Sequence, residues 1–119
     1  MHGITLEQDL ANRIRWTGGF TWSPVSPVPT SGYMVGVRSV LVLDDPSLPL
    51  SPALFEQVVT ELTADPTLFL GGWLDPDSGL VYYDLSVYIP DYYDAVRIGK
   101  DRGEKAIFAL RQQQSIFLD

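Results

Sequence analysis

The sequence has no cysteine and a single histidine, His2, among its 119 residues. Without cysteine there is no disulfide framework and no thiolate-based zinc or redox site. With one histidine, a His-based acid–base pair or a two-histidine metal site cannot be built within one chain. His2 lies next to Met1, where disorder is expected. No run approaches the ~18 apolar residues of a membrane span. The first residues lack the basic and apolar regions of a signal peptide, so the expectation is a soluble, cytoplasmic protein. Lysine occurs only at positions 100 and 105. Neither the G-x-x-x-x-G-K-[ST] phosphate loop nor G-x-G-x-x-G is present. The sharpest absence is of positive charge: residues 39–96 contain no Lys or Arg and hold ten acids.

What is present fits one globular domain spanning residues 1–119. Hydrophobic residues make up 45% of the chain, and a chain of this size buries about two-thirds of its unfolded surface without a metal or disulfide staple. The net charge of −7 is unevenly placed, with slightly basic ends around the acidic centre. Such a centre opposes contact with nucleic-acid phosphates, whose affinity comes from clustered bases. It favours a basic protein partner through electrostatic steering, or serves as a solvated, solubilising surface.

Periodicity and turn chemistry predict the elements. Leu6, Leu10 and Ile14 recur at helical spacing behind Thr5 as N-cap, giving a helix over about 5–15 that ends at Gly18-Gly19. Phe20–Trp22 reads as a strand. Pro24, Pro27 and Pro29 impose an irregular loop. Tyr33–Leu43 reads as a long strand buried on both faces. Ser51-Pro52 opens a second helix, closed by Asp65-Pro66. Asp75-Pro76-Asp77-Ser78-Gly79 is a hairpin turn between strands. In the second arm Val81, Tyr83, Leu85, Val87 and Ile89 alternate with Tyr82, Asp84, Ser86 and Tyr88. Asp91, with Asp94 three residues on, reads as a variant capping box, and Gly103 as the stop of that helix. Ala106–Leu110 reads as a final strand. The expected class is α+β, with a mostly antiparallel sheet and helices packed on one face.

The segments GGFTWSP (Gly18–Pro24), PTSGYMVG (Pro29–Gly36), GGWLDPDSGLVYYDLS (Gly71–Ser86) and the ending GEKAIFAL before Arg111 resemble small proteins of actinobacteria and of their phages and mobile elements. The resemblance implies an accessory protein, phage-encoded, acting in a bacterial cytoplasm by binding a host component. It carries over no catalytic residue.

Asp75, Asp77 and Gly79 imitate the opening of a calcium loop. Counted from Asp75, however, loop positions 5, 6 and 12 are Gly79, Leu80 and Ser86, so three ligand requirements fail. Gly71-Gly72 reads as a bulge or a close approach of another backbone; the alternative is a concavity floored by glycine and walled by Trp73. Asp84 lies on the mixed face of its strand, and a second carboxylate for acid–base work is sought in Asp91 or Asp94. Trp16, Phe20, Trp22, Tyr33, Trp73, Tyr82, Tyr83, Tyr88, Tyr92 and Tyr93 are more aromatics than so small a core absorbs. Tyr82 and Tyr88 fall on the sheet face opposite the apolar row, Tyr92 and Tyr93 open the next helix, and exposed Tyr suits a protein interface. The leading expectation is therefore a non-enzymatic protein that binds a host protein or a second copy of itself, without a cofactor or a metal. Its contact residues would be Tyr82, Asp84, Tyr88, Tyr92, Tyr93, Asp44 and Asp45, with the acids as a nucleic-acid mimic in one version. The alternative is a small ligand-binding domain or carboxylate-dependent enzyme with a pocket near Trp73 and Asp84.

Overall fold

In the computed structural model the described residues, 3–118, form one six-stranded antiparallel sheet and three helices; His2 lies outside them. The order of elements is α1 (Leu6–Thr17), β1 (Gly19–Trp22), β2 (Tyr33–Leu43), α2 (Pro52–Ala64), β3 (Leu68–Leu74), β4 (Val81–Ile89), α3 (Tyr92–Asp101), β5 (Ala106–Ala109) and β6 (Gln114–Phe117). Across the sheet the strands run β1-β3-β4-β2-β5-β6. The chain is thus α+β, as expected. Strand β6 was not expected from the sequence.

The helices start where the caps dictate. The side chains of Thr5, Ser51 and Asp91 accept hydrogen bonds from the backbone N–H groups of Gln8, Leu54 and Asp94, each worth about 1 kcal/mol. Gly18 ends α1 at φ +90°, donating to Ile14, at the expected glycine pair, and the last helical residue is Thr17, two beyond the expected 15. Asp94 does not close a reciprocal capping box; its carboxylate meets Arg97 instead.

Register parity puts all three helices on one face. The α1 residues Leu10 and Ile14 and the α2 residues Val58 and Leu62 pack with Phe20, Leu70, Val81, Tyr83 and Leu85. Ala95 of α3 packs farther along the same face with Val35 and Ile107. The opposite face carries no helix. At one end it holds a small cluster of Met34, Phe69 and Leu110, with Tyr88 and Phe108 against it.

Strand β2 is not buried on both faces. Its two β-bulges, between Gly36 and Arg38 and between Ser39 and Leu41, re-aim its side chains. It pairs with β5 only at Tyr33 and Met34 and leaves that neighbour as the bulges begin. Bulges increase local bend and twist, and the sheet is curled. Trp73 of β3 reaches Phe117 of β6, with three strands between them in the order, at 6.2 Å between ring centroids. The helix-free face is therefore concave.

Candidate functional site: a carboxyl-lined pocket on the concave face

The concavity is a pocket of about 370 Å³ where β2 departs from β5. This lies in the range of small-ligand sites. The floor is Gly36, Gly71, Asp84 and Ser86. One wall is Trp73 stacked on Tyr82, with centroids 5.2 Å apart and planes 20° from parallel. The segment Gly103–Phe108 forms the other.

Gly71 is a floor residue because it stands opposite Asp84 in the register. Its neighbour Gly72 faces the helices, where an added Cβ would run into the Phe20 ring and Ile14. Strand β3 keeps unbroken register with both neighbours, so the glycine pair is not a bulge. The bulges lie in β2, and their cause is not visible as a glycine pair. The close approach at Gly72 is by side chains rather than by another backbone.

Two carboxyl groups converge above Gly36. Glu104 Oε1 occupies the space a Gly36 Cβ would need, and Asp84 Oδ2 comes within 3.7 Å of the same point. Burial, reinforced by the Glu104 charge, pushes Asp84 up to about 6. Glu104 is also raised by burial, against the opposing pull of Arg102. Among the described residues neither carboxyl has a salt-bridge partner or a hydrogen-bond donor.

The cations at the rim are engaged elsewhere. Arg38 pairs with Glu61 of α2, and Lys105 pairs with Asp75. The first pairing follows from the bulge. Gly36 stands opposite Ser86, so an unbroken register would set Arg38 opposite Asp84. The extra residue, Val37, moves Arg38 to the helix face beside Leu85 and puts Ser39 opposite Asp84 instead.

Asp75 is more than a turn residue. It is 0% exposed and covered by its own turn: Asp77 N–H and the Ser78 hydroxyl donate to its carboxylate, as does Lys105 from the far side of the concavity. The Lys105 hydrogen bond, more than any other contact, holds this carboxyl below the usual range. With Trp73 and Phe117, the Asp75–Lys105 pair ties the β3–β4 turn to the segment that leads into β5.

No known protein family, curated protein or solved structure matches the chain. The pocket's chemistry alone therefore bears on function.

Of the residues expected at a site, the structure brings Tyr82 and Asp84 together in the pocket with Trp73. Tyr88 lies over Gly32 and packs into the small cluster at the other end of that face. Tyr92 and Tyr93 open α3, edge to face with each other, and Tyr92 meets Tyr33 in the same way. Asp44 and Asp45 follow the opposite end of β2 in an exposed loop, where Asp45 accepts from Ser47. The seven thus occupy four separate places. Asp91 and Asp94 are spent on the α3 cap and on Arg97, and the carboxyl beside Asp84 is Glu104. The acids of 39–96 are likewise dispersed: Glu61 lies on the helix side, Asp84 in the pocket and Asp75 in its turn. A phosphate-backbone mimic needs a dense array, which this dispersal does not supply. Glu104 escaped the sequence because only the β2–β5 pairing, set by Met34 opposite Phe108, carries it to Asp84.

Proposed function

We propose that this chain is a small-molecule-binding domain that holds its ligand in the concave pocket, between the Trp73–Tyr82 wall and the Asp84–Glu104 carboxyls. One observation carries the reading: two carboxyl groups converge in a cavity of about 370 Å³, and among the described residues no donor is supplied to either. Desolvating acids without a partner is costly, and a bound ligand that supplies the missing donors offsets that cost. The aromatic wall adds a flat apolar surface for the body of the ligand.

The test is a fragment screen followed by two-dimensional NMR, with the Gly36 and Gly71 amides and the Trp73 indole as reporters. Fragments that shift these three signals together, and lose the effect in Asp84→Asn, support the pocket. A diverse set that leaves all three unmoved counts against it.

A protein-partner reading keeps one supporting observation. Tyr93 is 79% exposed and Tyr92 41% exposed at the start of α3, in an aromatic group with Tyr33. Sedimentation of the wild type and of Tyr93→Ala tests self-association there. A concentration-dependent dimer abolished by the substitution favours this reading, and identical monomers oppose it.

A further inference from the structure

We infer that the ligand is a small organic cation with N–H donors on a flat apolar body, of the amidine, guanidine or aromatic-amine type. The inference rests on the binding reading above and deepens it. Of the charged groups around the pocket, the cations are already matched: Arg38 by Glu61 and Lys105 by Asp75. The unmatched groups are both acids, Asp84 and Glu104. An anionic ligand would meet their repulsion; among the described residues that line the pocket no unpaired cation offsets it, and Arg102, whose charge reaches Glu104, is not one of them. A ligand with two or three N–H donors on a positive centre satisfies both carboxylates at once with charge-assisted hydrogen bonds.

The remainder of the pocket suits the rest of such a molecule. Trp73 and Tyr82 line the pocket with aromatic surface, against which a cation or a delocalised planar group packs favourably. A divalent metal is the less suited occupant, because no group of three His, Cys, Asp or Glu converges among the described residues. Glycine at 36 and 71 keeps the floor low enough for the ligand to reach both carboxyls.

The experiment compares three molecules of one shape and different charge: benzamidine, benzamide and benzoate. Each is titrated into the 119-residue chain at pH 7.5 and followed by the Gly36, Gly71 and Trp73 signals, with Mg²⁺ and Ca²⁺ titrated separately. Expected is saturable binding of benzamidine, about tenfold or more tighter than benzamide, no shift with benzoate, and a similar tenfold loss in Asp84→Asn and in Glu104→Gln. Equal or tighter binding of benzamide or benzoate overturns the cation inference while leaving the pocket as a ligand site. Saturation of the same signals by a divalent ion but not by benzamidine overturns it in favour of a metal. Failure of all five probes, together with a fragment screen that leaves the three signals still, removes the pocket reading itself.

Discussion

Arg38 is paired with Glu61 on the helix-bearing side of the sheet, one residue along the chain from Ser39, which stands opposite Asp84 on the concave side. The bulge at Val37 is what separates them. It withholds a cation from Asp84 and leaves the carboxyl in a pocket without a counter-charge. Restoring a cation at that place is therefore a direct perturbation. In Ser39→Lys, a position with room because it is exposed, the Asp84 midpoint is expected to fall from about 6 toward or below the ordinary 3.8. Benzamidine binding should drop with it, by about tenfold or more. Carboxyl NMR titration of the variant checks the first, and ligand titration the second.

Asp84 also sets a pH dependence of stability. Its folded-state pKa, about 6, lies above the unfolded value of 3.8, so the folded chain holds this proton more tightly. The destabilisation is absent below about pH 4, grows as pH rises toward 6 and is complete above it. Asp84→Asn removes the charge. It is expected to stabilise the protein at pH 7 by at most about 3 kcal/mol, less to the extent that water reaches the pocket, and to make no difference near pH 3.5. Urea unfolding of both proteins across this range gives the comparison. Glu104→Gln should act in the same direction.

Asp75 is expected to behave in the opposite sense. Its pKa is lowered first by the Lys105 hydrogen bond, so its contribution is present above the unfolded pKa and lost as pH falls through the folded one. Asp75→Asn should lower the melting temperature at pH 7, with the gap closing in acid. Lys105→Met, which removes the tie across the concavity but leaves the turn, should cost less than Asp75→Asn. Thermal scans at pH 7 and pH 3 of the three proteins decide this.

Tyr83 is 1% exposed, and its hydroxyl is buried without a hydrogen-bond partner among the described residues. Burial alone pushes the phenol up to about 12, so it stays protonated. Tyr83→Phe removes the unsatisfied group and keeps the ring that meets Phe20 at 6.1 Å. A gain of about 1 to 2 kcal/mol is expected in denaturant unfolding.

Much of this architecture is written locally. Ser51-Pro52, Asp91 and Gly18 each place a helix end through their own side chain or backbone freedom. The 75–79 turn and the alternation of 81–89 fix the β3–β4 hairpin and assign Tyr82 and Asp84 to one face and Tyr83 and Leu85 to the other. The pocket is legible in half: Trp73, Gly71 and Asp84 lie on adjacent strands of that hairpin. Its other half is not. Val37 is an ordinary strand residue, and nothing in its type marks it as the extra residue of a bulge. Because side chains alternate with period two, that one insertion decides whether Arg38 faces Asp84 or Glu61. Glu104 and the short strand β6 depend on non-local pairing at Met34 and Phe108, a long-range contact that periodicity does not encode. Tyr88 adds a contact that its residue type does not announce, its ring lying over Gly32.

The most direct measurement is the ¹³C-carboxyl NMR titration of Asp84, alone and with saturating benzamidine. A midpoint near 6 in the free protein, falling by a unit or more when the cation is bound, is the expected result. A free-protein midpoint near 3.8 that benzamidine does not move would contradict both the desolvated carboxyl and the pocket's preference for positive charge.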